Sequence, residues 1–178
     1  MNPRFHNEID IPAGKRVLKG ELLIPQQSKA IIIFSHGSGS SRFSKRNQAV
    51  SKYLNKKNFG TLLFDLLTEE EDQQYHNRFD IPLLAKRLAL TTEWLEKHPA
   101  AKDCRFGYFG ASTGAASALK AASVLLSIDA IVCQPDLVMD ELKFVQAPTL
   151  LIAGSHDYEV LEWNKEAYLQ LRCKKNWK

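Results

Sequence analysis

The sequence predicts an α/β fold in which helices cover both faces of a mostly parallel β-sheet. Continuous apolar runs, such as residues 30–34, indicate strands that are buried on both faces, as in parallel sheets. Segments with the helical spacing of apolar residues separate these runs, and this alternation is typical of a three-layer α/β/α sandwich. The chain has 178 residues, of which 44% are hydrophobic, so we assign residues 1–178 to a single domain.

Individual elements follow from turn and capping signals. Strands at 5–11 and 17–24, with Gly14 between them, are predicted to form an edge hairpin. Asp80 is a predicted N-cap, and Pro82 suits the first turn of the helix that follows. The other predicted strands are 30–34, 59–67, 104–109, 130–133 and 149–153. The predicted helices are 44–57, 80–98, 115–126 and 159–171. Residues 69–78 are predicted to form a polar loop. The carboxyl ends of the parallel strands should meet at one sheet edge, where ligands bind.

The composition excludes several classes of partner. The formal net charge is +4, and basic residues are scattered except in a cluster of Arg42, Lys45 and Arg46 and in the C-terminal tail. No basic stripe with interleaved aromatics is present, so we expect no nucleic-acid partner. The cluster could attract an anionic substrate, because it follows a glycine-rich loop. The oligomeric state is left open.

The cysteines and the apolar runs bear on location and cofactors. Cys104, Cys133 and Cys173 show no CxxC or metal-ligand spacing, so no metal is expected. The N-terminus is polar, unlike a signal peptide, and no apolar run approaches the roughly 20 residues that span a membrane. We therefore expect a cytoplasmic protein without a membrane partner.

The segment Gly110-Ala111-Ser112-Thr113-Gly114 matches G-x-S-x-G between a predicted strand and a predicted helix. In that context the serine sits on a tight turn, its neighbours must be small, and its hydroxyl projects above the sheet edge. The N-terminus of the helix supplies free N–H groups for an oxyanion. The pattern predicts a nucleophile elbow; the alternative is a glycine-containing turn without chemistry.

Two further segments end strands at the same edge. Gly37 and Ser38 belong to a loop that could bring backbone N–H groups to an oxyanion; a phosphate-binding loop is the alternative, although the G-K-[ST] ending is absent. Asp157 follows the last predicted strand of the sheet and could orient a catalytic base, or could only cap a turn. Asp136 and Asp65 also end strands and are weaker candidates for the acid.

The stretches FSHGSGSS, GTLLFDLLTEEE, FGYFGASTGAASAL, CQPDL and APTLLIAGSHD resemble, in order, the blocks of the dienelactone-hydrolase-like family of α/β-hydrolases. The resemblance covers nearly the whole chain. It implies that Ser112 is the nucleophile and Asp157 the acid, and that N–H groups near Gly37, Ser38 and Thr113 form the oxyanion hole. Dienelactone hydrolases proper use cysteine as nucleophile, so their substrate does not transfer to this chain.

The C-terminus departs from the family pattern. Family members add a last strand and a loop with the triad histidine, whereas no histidine follows Asp157 and residues 171–178 contain no strand-like run. The sequence thus predicts an α/β-hydrolase fold missing its last strand, C-terminally truncated relative to the family. His36, His76 and His156 are the remaining candidates for a base, and His36 is expected to be a structural loop residue.

Three functions remain open from the sequence. The first is a serine hydrolase acting on a small ester or related acyl substrate, which needs no cofactor. The second is a catalytically impaired hydrolase scaffold. The third is a remnant that binds an anionic ligand through its glycine loops.

Overall fold

The computed structural model describes residues 3–136, 139–154 and 158–178. Its strands are β1 (Pro3–Ala13), β2 (Arg16–Pro25), β3 (Ala30–Ser35), β4 (Gly60–Phe64), β5 (Arg105–Ala111), β6 (Ile128–Gln134), β7 (Thr149–Leu151) and β8 (Lys175–Trp177). Its α-helices are α1 (Lys45–Lys56), α2 (Glu69–Asp72), α3 (Ile81–Lys97), α4 (Thr113–Ala122) and α5 (Tyr158–Gln170), and short 3-10 helices span Tyr75–Phe79 and Asp140–Phe144.

The strands form one mostly parallel sheet in the order β1-β2-β4-β3-β5-β6-β7-β8. β1 pairs antiparallel with β2, and β2 with β4, whereas every pair from β4 to β8 is parallel. Gly14 adopts a φ of 71° in the β1–β2 turn, as the tight hairpin requires. The predicted edge hairpin and the mostly parallel sheet are confirmed.

Helices cover both faces of the sheet. The register aligns Thr61 of β4 with Ile32 of β3, and aligns Tyr108 of β5 with Ile33, so Thr61 and Tyr108 point to opposite faces. Thr61 accepts a hydrogen bond from Asn55 of α1, at 3.0 Å. The Tyr108 hydroxyl meets Thr92 of α3 on the other face, at 2.8 Å. The three-layer sandwich is therefore confirmed.

The main hydrophobic core lies on the face covered by α3 and α4. Five alanines of α4 are almost fully buried: Ala115, Ala116, Ala118, Ala121 and Ala122. Small side chains let this helix approach the strands closely, and Leu88 and Leu95 of α3 close the same core. The turn between β5 and α4 therefore lies on a closely packed core.

In the described residues, no helix is long and apolar enough to cross a membrane.

The prediction that the fold lacks its last strand is wrong. Residues Lys175–Trp177 form β8, which pairs parallel with β7 from Thr149 to Leu151. The backbone N–H of Lys178 donates to Leu151 O at 3.0 Å, and that of Thr149 donates to Lys174 O at 2.9 Å. A three-residue edge strand is held by such backbone bonds, so it needs no apolar run that periodicity could detect.

The prediction of a polar loop at residues 69–78 is also wrong, because this stretch contains α2 and most of the Tyr75–Phe79 helix. A capping box begins α2: Thr68 accepts the N–H of Glu71 at 3.2 Å, and the Glu71 carboxylate accepts the N–H of Thr68 at 3.1 Å. The T-x-x-E pattern that signals this start is present in the sequence. Residues 65–67, predicted to extend β4, lie beyond its end at Phe64.

We predict that β8 stabilises α5 through Lys175. Its ammonium group donates to the carbonyl oxygens of Tyr168 and Leu171 at the C-terminal end of α5, and lies over the Tyr168 ring. Lys175→Met should lower the free energy of unfolding by about 1–2 kcal/mol, because charge-assisted hydrogen bonds to a helix C-terminus are lost. Urea denaturation measures this change. Lys174→Met, at an exposed neighbouring position, should be near neutral; equal effects of the two substitutions would contradict the prediction.

Candidate active site

Ser112 has the backbone conformation of a nucleophile elbow. Its φ is 55° and its ψ is −133°, between the end of β5 and the start of α4. A non-glycine residue in this region costs about 1–3 kcal/mol and persists only where the surrounding structure imposes it. Hydrogen bonds fix the turn on both sides: the Ser112 N–H donates to Gln134 O at 2.9 Å, and Ser112 O accepts the Ala115 N–H at 2.8 Å.

Glycines on either side make this turn possible. A Cβ on Gly114 would lie 2.1 Å from Ser35 O and 2.6 Å from His36 O, and a Cβ on Gly110 would lie 2.6 Å from Gly114 O. No side chain fits at either position without moving backbone. The first turn of α4 therefore packs directly on the backbone at the end of β3, as the G-x-S-x-G pattern predicts.

A buried pair of hydroxyls joins the same two segments. Ser35 Oγ and Ser117 Oγ are 2.8 Å apart, and Ser117 Oγ also donates to Gly114 O at 3.0 Å. Both serines are at most 2% exposed. Beneath Ser112, β3 and α4 are thus joined by hydrogen bonds as well as by close packing.

The structure brings the three predicted oxyanion residues together. A Cβ on Gly37 would lie 3.4 Å from Ser112 Cβ, so the loop after β3 passes beside Ser112. Gly37, Ser38 and Thr113 line one small hollow next to it. Thr113 is the first residue of α4, where the N–H has no acceptor within the helix. The three residues therefore lie close to Ser112 and to one another, and their role as an oxyanion hole remains a prediction.

Ser112 opens into a cleft of about 440 Å³. Polar groups of the β3–α1 connection and of the first turn of α1 form one wall: Ser40, Ser44, Arg46 and Asn47. In the described part of the chain Arg46 forms no ion pair, and it is exposed. The cleft therefore combines the Ser112 side chain with one positive charge that has no ion-pair partner among the described residues.

A larger cleft of about 900 Å³ lies on the β1–β2 side of His36 and does not include Ser112. Four cations and four acidic residues line it, and three of the four cations form ion pairs. Arg42 pairs with Asp65 at 3.6 Å, and Arg16 pairs with Glu70 at 3.0 Å. Because its formal charges balance, this cleft offers little net attraction to an anionic ligand, although it contains Arg42 of the basic cluster.

His36 is a structural residue, as expected from the sequence. Its Nε2 accepts the Leu66 N–H at 3.1 Å, so the ring proton is on Nδ1, which donates to Gly37 O at 3.0 Å. Burial lowers the pKa of His36, although the hydrogen bond to Gly37 and the charge of Asp65 oppose the shift. Since both ring nitrogens are bonded to backbone, the imidazole holds the loop and is not free to act as a base.

The other described histidines do not reach Ser112 either. His6 pairs with Glu21 on the exposed hairpin, and His98 packs against the rings of Phe5 and Trp94. His76 lies in the Tyr75–Phe79 helix. His156 lies outside the described residues.

The carboxylate that contacts Ser112 in the described residues is Asp136. Ser112 Oγ donates to Asp136 Oδ2, while Asp136 Oδ1 is buried and has no hydrogen-bond partner among the described residues. Asp157, the predicted acid, lies outside the described residues, so its position remains a prediction. Asp65 is engaged elsewhere, accepting the Arg42 N–H at 2.8 Å.

Asp136 is a weaker candidate in the sequence, and its contact with Ser112 depends on the strand order, which sequence patterns do not give. β6 lies directly beside β5, so the residues that follow Gln134 necessarily pass close to Ser112. For Arg46, the only signal in the sequence was its membership of the basic cluster, which was expected to attract an anionic substrate.

In the described ranges, no group of three or more His, Cys, Asp or Glu side chains is arranged to hold a metal ion.

Comparisons with solved structures identify the fold and a relative. The chain is 42% identical to a dienelactone hydrolase from Anabaena variabilis, with a TM-score of 0.94 over 97% of this chain and 84% of that chain. It also superposes, with a TM-score of 0.79, on a cold-adapted esterase from an Arctic intertidal metagenomic library that is 14% identical; 97% of this chain and 82% of that chain are covered. The second likeness concerns the fold alone.

Comparison with curated proteins gives a different name. Two Mycobacterium tuberculosis proteins, provisionally named phosphoribosyl transferases, are 47% identical over 169 residues, which is 93% of this chain. The chain spans only 38% of the length of these relatives. No protein-family model matches the chain.

We predict that neutral His36 makes the fold sensitive to acid. Because the pKa of His36 is lowered in the folded state, the unfolded chain binds an extra proton below its reference pKa of about 6.5. The stabilisation is complete above that pH and is lost as the pH falls towards the folded-state value, with a slope of at most about 1.4 kcal/mol per pH unit. His36→Gln, which keeps an acceptor for Leu66, should remove this part of the slope.

Urea denaturation between pH 8 and pH 5 measures the effect. His6→Gln is the matched control, because His6 is exposed and pairs only with Glu21. The burial of His98 also lowers its pKa, so some slope should remain in every variant. Identical slopes for the wild type and His36→Gln would show that His36 is not the sensitive group.

Proposed function

The chain belongs to the dienelactone-hydrolase-like family of α/β-hydrolases, and from this premise we propose that it is a serine hydrolase of a small ester or related acyl substrate. The observation that carries the proposal is the strained Ser112, which faces a cleft beside Gly37 at the start of α4. Strain of this kind is retained where it positions a reacting group.

Each residue has a role in the proposed reaction. Ser112 Oγ attacks the acyl carbon, and the charge that develops on the carbonyl oxygen is stabilised by N–H groups of Gly37, Ser38 and Thr113. By family resemblance, Asp157 is the triad acid that orients a base. The reaction needs no metal or organic cofactor, because nucleophile and oxyanion donors come from the chain itself.

Phosphoribosyl transfer is less well supported as the activity of this chain than hydrolysis. That name describes proteins most of whose length lies outside the match to this chain. The Anabaena relative, in contrast, is covered over 84% of its length and is named as a hydrolase. We therefore base the proposed activity on the hydrolase relative.

We predict that a fluorophosphonate probe labels the chain at Ser112. Attack of Oγ on phosphorus expels fluoride and leaves one probe per chain, which mass spectrometry detects. Ser112→Ala should abolish labelling and hydrolysis of p-nitrophenyl butyrate, whereas Ser123→Ala, at the C-terminal end of α4, should change neither. A folded wild-type chain that resists the probe would favour the impaired scaffold instead.

We also predict a preference for anionic acyl groups. Arg46 lines the Ser112 cleft and has no ion-pair partner among the described residues, and a solvent-exposed ion pair is worth up to about 1 kcal/mol. Arg46→Gln should raise KM about three- to fivefold for the mono-p-nitrophenyl ester of glutarate but not for the neutral butyrate ester. Lys45→Gln, which does not line the cleft, is the control, and an equal rise for both esters would exclude charge recognition by Arg46.

A further inference from the structure

We propose that the outer face of α1 binds the surface of an anionic lipid bilayer. Five cations and one aromatic ring form this basic face of α1: Lys45, Arg46, Lys52, Tyr53, Lys56 and Lys57. All six residues are exposed, and in the part of the chain that the structure describes none of the five cations forms an ion pair. The inference concerns a partner and does not depend on the proposed hydrolase activity.

The positive charge of the chain is concentrated in the segment that contains this face. Residues 22–64 hold seven of the 24 basic residues and none of the 20 acidic residues. The rest of the chain therefore has more acidic than basic residues, and the net charge of +4 comes from this segment. Along the sequence only the first cations of α1 stand together as a cluster, because the others follow at helical spacing.

Helical spacing gathers these cations on one side of α1. Residues separated by seven and then four positions fall on one line along a helix. Two such lines run side by side on α1 and its C-cap: Lys45, Lys52 and Lys56, and Arg46, Tyr53 and Lys57. A helix of this length spans about 18 Å, which is roughly two Debye lengths at physiological salt, so the charges act together on a nearby surface.

Hydrogen bonds on the inner side of α1 fix the direction of the basic face. Ser51 Oγ lies 2.8 Å from Thr61 Oγ1 of β4, and the Asn55 side chain donates to Phe59 O at 3.0 Å. Ser51 and Asn55 are both buried. Because the inner side is held on β4, the opposite side of α1 faces solvent and keeps its cations on one surface.

The chemistry of the basic face favours lipid headgroups over an acidic protein. Four of its five cations are lysines, which are strongly hydrated and are depleted in the desolvated cores of protein interfaces. An anionic bilayer attracts such cations across a Debye length, and each one near the surface strengthens binding about fivefold. Tyr53, which is 61% exposed, adds a ring with a polar tip that suits the headgroup level.

The shape of the basic face favours a flat partner. One helix presents a convex surface with a single ring, whereas single-stranded nucleic acid is bound in grooves lined by several aromatic side chains. The expectation of no membrane partner rests on the lack of a spanning run, and a peripheral contact needs none. Arg46 also lines the Ser112 cleft, so docking through α1 would hold this cleft near the bilayer.

Cosedimentation with vesicles tests the proposal. The 178-residue chain should bind vesicles of phosphatidylcholine that contain one-third phosphatidylserine, and should not bind pure phosphatidylcholine. Combining Lys45→Gln, Lys52→Gln and Lys56→Gln should weaken binding to the anionic vesicles about 100-fold, because each lysine contributes about fivefold. Arg46 is left unchanged, since it also lines the Ser112 cleft.

A matched triple variant removes the same charge elsewhere. It combines Lys86→Gln, Lys97→Gln and Lys102→Gln, at exposed positions; Lys86 and Lys97 belong to α3, which covers the opposite face of the sheet from α1. This variant should bind the anionic vesicles within threefold of the wild type. Equal losses in the two triple variants would overturn the proposal, because net charge alone would then explain the binding.

The wild type alone provides a second test, which holds even if a variant does not fold. Its binding to the anionic vesicles should weaken at least tenfold between about 0.1 M and about 0.5 M salt, as the Debye length shortens. A chain that does not bind these vesicles at the lower salt concentration, or binds pure phosphatidylcholine equally well, would refute the proposal. Binding of a mixed-sequence DNA duplex without binding to the vesicles would assign the basic face to nucleic acid instead.

Discussion

The close packing of α4 on the end of β3 is the constraint on which the site depends. Gly114 lies against Ser35 O and His36 O with no room for a side chain, and the buried Ser35–Ser117 pair holds the two segments together. Because α4 starts so close to β3, the chain leaving β5 has to turn within one residue. Ser112 is that residue, and its left-handed backbone follows from the packing.

The same constraint organises the loop on the other side of the nucleophile. His36 uses one ring nitrogen for Gly37 O and the other for the Leu66 N–H, so it joins the loop after β3 to the end of β4. Such an arrangement requires a neutral ring, and burial favours that form. A protonated ring could not accept the Leu66 N–H, so a catalytic role for His36 would conflict with its structural one.

Local patterns predicted the parts of the site that local geometry determines. The elbow, the glycines around it and the N-cap at Asp80 were predictable because each depends on neighbours within a few residues. The strand β8 was not, because three residues paired through backbone at a sheet edge leave no apolar pattern. The position of Asp136 was not predictable either, since it depends on which strand lies beside β5.

Strand order therefore has a chemical consequence as well as an architectural one. With β6 next to β5, backbone pairing extends to the Ser112 N–H and brings the Asp136 carboxylate, which follows β6, into contact with Ser112. Asn164 sets the exit of the same strand from the side of α5. In the described residues, the side chain that accepts a hydrogen bond from the Ser112 hydroxyl is the carboxylate of Asp136. The sheet that imposes the strain on Ser112 thus also supplies its hydrogen-bond acceptor.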